Sequence, residues 1–485
     1  MKSTMSHILL GPKRKSNSCK LGQFIYRFCA KLRELMLSTI CRGLTFSIGS
    51  IFIWCAAYAQ DIQVVYERSI PSNSAYDIHF ITLTSGGEIL LCGSGGGGGA
   101  WVGRFSPEAN LIKGTVVEKR LDGAMEDCWT VVARDSDRTV IAGVTNSHAL
   151  VKGDRASGGN AETYRSAPTA GLLALLSEDG ATVFKKAFGN FKPYYQNGFY
   201  RGVGLKDGYL LLGNIAKEWP ADSPSGVRGV PTIWLVKTDT AGNIIWQYEY
   251  AENDGDVMQA DFHGFISDLV VLKDASVVFI PRASPVASTM RDGKPLLIFR
   301  GKVEPRGDRQ QLILKIGSNG KELQRRAIPP GFGGDISLLR VDNQLVLIDH
   351  PTLNPNDKNK NVLAQIRVRR FDEELNLRDS EVVDLHGDEF IVQGAIAGGP
   401  GKILVIGNYV KDLGPLRNKL GEPALAEISL GGSFKIIQRF GSGHVAGIAK
   451  DANGDEFVVV RFGGVGFGES GENRRMFLTK FRLGR

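Results

Sequence analysis

Cysteine is scarce in this sequence, and most of it sits where it is of little use to a folded domain. Of six cysteines in 485 residues, Cys19, Cys29, Cys41 and Cys55 fall within the first 59. Only Cys92 and Cys128 remain beyond them, with no C-x-x-C pair and no Cys/His zinc spacing. A zinc knuckle and a thioredoxin-like centre are thereby excluded. No G-x-S-x-G nucleophile elbow occurs. The glycine run Gly95–Gly99 is not followed by Lys-Ser/Thr and opens no helix, so it is not a phosphate cradle. Asp451–Asp455 faintly matches the start of a calcium loop, but Glu456 stands where that loop needs glycine. Neither a metal nor a cofactor is expected.

Long apolar runs are also missing. The stretch Gly43–Ala57 has 15 residues, short of the roughly 20 that a membrane span requires. It follows a basic region ending at Arg42 and leads into Ala57-Tyr58-Ala59. That order matches a secretory signal with its cleavage site, and places the mature start near Gln60. Met36 lies just upstream of a leader of ordinary length, which makes it an alternative start of translation. The expected organisation is a leader over residues 1–59 and one domain over residues 60–485, periplasmic or secreted.

A charge of one sign is the next absence. The formal net charge of +8 belongs to the first 59 residues, which hold nine Lys/Arg and one Asp/Glu. Beyond them the signs balance, which leaves nucleic-acid binding without electrostatic support. In an oxidising compartment Cys92 and Cys128 are expected to form one disulfide.

What is abundant is glycine, 60 residues with no three-residue period, as in a chain of many tight turns. The turns punctuate a repeat. One unit starts with Lys206-Asp207-Gly208 and the apolar run ending at Gly213. It continues through Trp234-Leu235-Val236-Lys237, the turn Thr238–Asn243, and Ile244–Tyr248. This reads as strand, long loop, strand, tight turn, strand. The turn-plus-apolar-strand element recurs at Gly86, Asp137, Lys273, Asp342, Gly401 and Asn453, and the strand-turn element begins near Trp101, Leu172, Leu312, Arg367, Ala424 and Phe477. An all-β chain with such a period is a propeller or an array. Seven units predict a seven-bladed β-propeller. The seventh unit lacks an outer strand, and Gln63–Arg68 resembles one, so the N-terminal strand of the mature chain is expected to close the ring.

The pattern W-L-V-K-x-D-x-x-G-N-x-x-W at Trp234–Trp246 resembles the repeats of exported bacterial β-propeller proteins. The resemblance implies fold and export and carries no activity. In a quinone-dependent propeller a docking Trp would stand in most blades; here Trp246 is the single instance.

The long connections between second and third strands should emerge on one face, where function concentrates. The most basic, Pro281–Arg309, carries Arg282, Arg291, Lys294, Arg300, Lys302, Arg306 and Arg309. Such a face favours an anionic glycan or an extracytoplasmic protein as partner. Counting back from each apolar strand places His79, Trp129, Phe199 with Tyr200, Ile266, Gly334, Gln393 and Ala446 around the axis. Beside them fall Arg201, His263 and His444. The candidate ligand-binding residues are therefore His79, Trp129, Tyr200, Gln393 and His444. The leading expectation is a non-catalytic binding or interaction module. Its alternative is a polysaccharide lyase or glycoside hydrolase on an acidic polysaccharide, with Arg201 neutralising a uronate and Tyr200, His263 or His148 as base.

Overall fold

The computed structural model describes residues 62–483 apart from connecting segments, the longest of which are 147–168, 219–228, 250–268, 352–364, 411–421 and 464–474. Contacts separate residues 1–61 from the unit Ile62–Arg485. The described residues contain strands and turns and no helix.

Seven four-stranded antiparallel sheets succeed one another along the chain. Their innermost strands are Ala75–Leu83, Glu126–Asp135, Gly198–Leu205, Val270–Val271, Gly331–Val341, Glu389–Gly399 and His444–Lys450, defining blades 1 to 7. Apart from blades 3 and 4, each innermost strand touches that of the next blade, including the return from blade 7 to blade 1. Blade 7 is completed from the other end of the unit: Gln63–Ile70 pairs antiparallel with its third strand, Arg475–Arg482, matching Gln63 to Arg482 and Ile70 to Met476. The seven-bladed ring closed by an N-terminal strand is thus the observed architecture.

The continuous apolar character of the second strands follows from this arrangement. Each blade is packed on both sides, so neither phase of the two-residue alternation meets water. In blade 3, Leu210 and Leu212 pack toward Val277, Phe279 and Leu314 of blade 4. Tyr209 and Leu211 pack the other way, among Val140, Leu173 and Leu175 of blade 2. All seven gaps between blades are filled by such a cluster.

The third-to-outer turns are built alike. Their fourth residue is left-handed in blades 1 to 6: Ala109, Gly180, Gly242, Gly320, Leu375 and Gly432, with φ between 56° and 85°. Glycine is the low-cost residue there. In blade 3, Asp239 Oδ1 accepts from the Ala241 and Asn243 amides at 2.9 and 2.8 Å, which is why Asp and Asn frame the motif.

Those turns also latch the ring from outside. In blades 2, 3, 4 and 7 the outer strand reaches to the turn of the next blade. Tyr66 donates to Pro107 O at 2.8 Å from blade 7 to blade 1. Lys186 donates to Asn243 Oδ1 at 2.7 Å from blade 2 to 3, and Arg326 to Asn376 Oδ1 at 2.9 Å from blade 4 to 5. The motif's second tryptophan, Trp246, donates to Ser318 O of blade 4 at 2.8 Å and lies against Gly320.

One expectation is corrected. The connection Pro281–Arg309 of blade 4 is not an open loop: Ser288–Arg291, Lys294–Phe299 and Lys302–Pro305 form a separate three-stranded antiparallel sheet. In the sequence, Asp292-Gly293 and Arg300-Gly301 are turn-forming pairs, a signal that sequence reading passed over because the stretch was treated as one loop.

Candidate functional site

The innermost strands share an irregularity at one level. Their pairing with the second strand skips a residue between Ile78 and Phe80, Cys128 and Thr130, Phe199 and Arg201, Val392 and Gly394, and Val445 and Gly447. The extra residue of each bulge is His79, Trp129, Tyr200, Gln393 and Ala446. A bulge re-aims the side chain that it leaves unpaired. These are the residues that counting along the repeat placed around the axis. The level is also fixed: opposite each bulge the second strand nears its connection to the third, which is short in blade 1 and long in blades 2, 3, 6 and 7, so the row lies at the long-loop end.

The glycines that end the apolar runs of the second strands are the counterpart of the bulges. A Cβ on Gly143 would lie 1.8 Å from Asp127 O, on Gly213 1.8 Å from Gly198 O, and on Gly407 2.0 Å from Ile391 O. In each case the carbonyl two residues before the bulged one occupies the space of a side chain. The recurring glycine after an apolar run is therefore the sequence trace of an axial bulge.

Three of the five bulged residues are in contact. His79 and Trp129 stack with ring centroids 4.1 Å apart and planes 12° from parallel. Trp129 meets Tyr200 edge to face at 5.4 Å. His79 and Trp129 are half-buried, while Tyr200 is only 3 % exposed. The row runs across blades 1, 2 and 3, and its amphipathic rings present both apolar area and polar edges. On the other flank of blade 1 stand Ala446, a small side chain, and then Gln393, whose Oε1 is buried without a hydrogen-bond partner among the described residues.

The remaining candidates are placed differently. Phe199 is fully buried and stacks on Trp234 at 5.0 Å, so of the Phe199–Tyr200 pair only Tyr200 joins the row. Arg201 donates to Tyr200 O at 3.0 Å, and its charge acts on the Cys92 thiol of blade 1 against that of Asp127. His444 stacks on Phe462 at 4.9 Å, two residues from the bulge at Ala446. His148, His263 and Ile266 lie outside the described residues, and Gly334 is described only as part of its strand.

Cys92 and Cys128, expected as a disulfide, are two free, fully buried thiols. They are neighbours across the gap between blades 1 and 2. Cys128 Sγ donates to Thr130 O at 3.6 Å, which engages it inside its own strand. Burial pushes the Cys92 thiol up, and its hydrogen bond with Cys128 adds to the rise.

Sequence reading missed a charged cluster in blade 5. Asp349, wholly buried, stands where blades 1, 2, 3 and 6 have the glycine. It accepts from Arg367 Nε at 2.9 Å, Arg367 Nη2 at 2.6 Å and Arg369 Nη2 at 2.6 Å. His350, the next residue, is also wholly buried. The signal was present: an Asp-His pair ending an apolar strand, opposite the alternating arginines of Arg367-Val368-Arg369.

On the opposite end of blade 7 a cavity of about 560 Å³ is lined by Gln63, Asp451, Asn453, Asp455, Glu456 and Arg482. Its loop is a hairpin turn in which Asp451 Oδ1 accepts from the Glu456 amide at 3.0 Å, and Glu456 is engaged by Lys480 and Arg482. Among the described residues no three potential metal ligands are grouped together.

Fold and site together define a seven-bladed β-propeller with an aromatic and imidazole row at the long-loop end of its channel. No protein-family model matches the chain, and no curated protein matches it. Solved structures do. An ulvan lyase, a polysaccharide lyase, is similar over 84 % of this chain and 95 % of its own, at 10 % identity and a TM-score of 0.47. A Pyrococcus horikoshii acylaminoacyl peptidase is similar over 79 % of this chain at 12 % identity and a TM-score of 0.40, and the chain spans about half of it, 49 %. The tricorn protease matches over 84 % of this chain and 35 % of its own, at 12 % identity and a TM-score of 0.41. At such identities the likeness concerns the fold alone.

Proposed function

We propose that the chain is an exported binding propeller that takes an anionic glycan at the long-loop end of its channel. The observation that carries this reading is the half-buried His79–Trp129 stack, extended by Tyr200, on axial bulges of three successive blades. Aromatic rings pack on the apolar faces of sugar rings, and imidazole and amide groups on the same ring of positions bond hydroxyls. The basic residues of the blade 4 insertion support a negatively charged ligand. Export rests on the leader over residues 1–59, and N-terminal sequencing of the secreted protein should begin near Gln60.

Titration with glucuronate-containing oligosaccharides, followed by tryptophan fluorescence, tests the reading. Trp129→Ala should weaken binding about fivefold or more, since an aromatic contact contributes roughly 1 kcal/mol beyond area. Equal affinity of the variant and the parent would end this assignment. Absorbance of an unsaturated uronate product during the same titration would instead favour the lyase, with His79 and Tyr200 flanking the bound sugar.

A further inference from the structure

The wholly buried imidazole of His350 has one donor-only and one acceptor-only neighbour. Its Nδ1 is 2.9 Å from Gln365 O, which can only accept, so Nδ1 carries the proton. Its Nε2 is 3.4 Å from the Val392 amide, which can only donate, so Nε2 is bare and accepts. The first bond lies within blade 5; the second crosses to blade 6 and ends on the residue immediately before the Gln393 bulge. The ring therefore ties the residue before an axial bulge of one blade to the second strand of its neighbour. We propose that His350 is a positioning residue for Gln393, and that the tie is released by protonation, so that the ligand site described above weakens in acid.

A proton on Nε2 would point at the Val392 N–H, turning an attractive contact into two opposed donors. It would also add a third cation to a neighbourhood where one carboxylate, Asp349, already serves Arg367 and Arg369. Asp349 is the charged group that acts on His350 from its own strand. From blade 6 the same interblade core holds Phe390, Val392 and Tyr409, and the Tyr409 ring carries Arg439 at 3.9 Å. Glu389, alternating with Phe390 along the strand, falls on the opposite face. Asp349 is the carboxylate that acts on the ring, and it is already shared by two guanidinium groups. Opening the contact is thus the available response to a proton. The consequence reaches Gln393 because a bulge has no ladder bond of its own to hold it.

The proposal rests on the binding reading, and its test has one arm that needs no ligand. Hydrogen exchange of the peptide covering residues 389–397, corrected for intrinsic rates, is compared at about pH 7.5 and about pH 5, on either side of an ordinary imidazole. Parent protein should lose protection there in acid. His350→Gln should keep it, because an amide can donate to Gln365 O and accept from Val392 N–H without titrating. In the second arm a glucuronate oligosaccharide should bind the parent about fivefold more weakly in acid, the worth of one hydrogen bond, and bind His350→Gln equally at both values. Matching acid profiles of parent and variant in the exchange arm would overturn the proposal. Failure of every oligosaccharide to bind, with the exchange result intact, would overturn the binding reading and leave His350 as the acid-sensitive tie between blades 5 and 6.

Discussion

The indole N–H of Trp246, on the outer strand of blade 3, donates to the carbonyl of Ser318 in the third-to-outer turn of blade 4 at 2.8 Å. The outer edge of the ring is thereby held by the same turns that shape each blade. Trp246→Ala removes this bond and the ring that covers Gly320, and should cost about 1–2 kcal/mol as a drop in thermal midpoint. Binding at the channel should be unchanged, since the residue lies at the far edge of its blade.

A substitution at the bulge glycines should do more. In Gly213→Ala the new methyl would sit 1.8 Å from Gly198 O. Because the obstruction is backbone, relief requires moving the innermost strand and Tyr200 with it. A loss of about 3 kcal/mol or more in denaturant titration is expected, in the range of strained or overpacked sites. Tryptophan fluorescence should change too, through the displaced Tyr200–Trp129 contact.

The buried charge cluster of blade 5 gives an asymmetric prediction. Asp349→Ala leaves Arg367 and Arg369 buried without their carboxylate and should cost about 3–5 kcal/mol. Replacing all three by apolar residues of similar volume should cost far less, because the desolvation of the ions is then removed as well. Chemical denaturation of the single and triple variants compares the two.

Acid should weaken the fold in two stages. Burial holds the His350 imidazole below its usual value. The unfolded imidazole therefore takes up its proton first, near pH ~6.5. Its contribution is complete above that point and declines as pH falls toward the folded value. Glu322, held low by Arg325, and Glu456, held low by Lys480, act later. Their share is present above the ordinary carboxylate range and is lost as pH falls through their depressed values. Thermal melts across pH should show the first stage in the parent and not in His350→Gln.

The two buried thiols should be inert in the folded protein. With its thiol pushed up and no exposure, Cys92 should react with an aromatic disulfide reagent only on unfolding, as should Cys128. Thiol counting in native and denatured protein kept reduced checks this. A secreted preparation in which denaturation releases no thiol would instead show that export oxidises the pair.

Much of this was readable because propeller information is local and repeated. Strand, turn and strand recur with continuous apolar runs and with Asp, Gly and Asn at turn positions, so blade number and the closing role of Gln63–Arg68 followed from the sequence. The axial positions His79, Trp129, Tyr200 and Gln393 were reachable by the same counting. The three-stranded insertion of blade 4 was not, since it breaks the period and its hairpin signals lie inside a stretch with no counterpart in other blades.

By itself the sequence determined the blades and, in five of them, which residue falls at the level of the bulge, because each blade is encoded within its own stretch of chain. Only the tertiary structure decided that those positions are bulges, that His79, Trp129 and Tyr200 touch, that Cys92 and Cys128 are thiols, and that His350 bonds the blade next to its own. All of these depend on how close two blades approach, a quantity set by packing across gaps between residues far apart in the chain and written in no single segment.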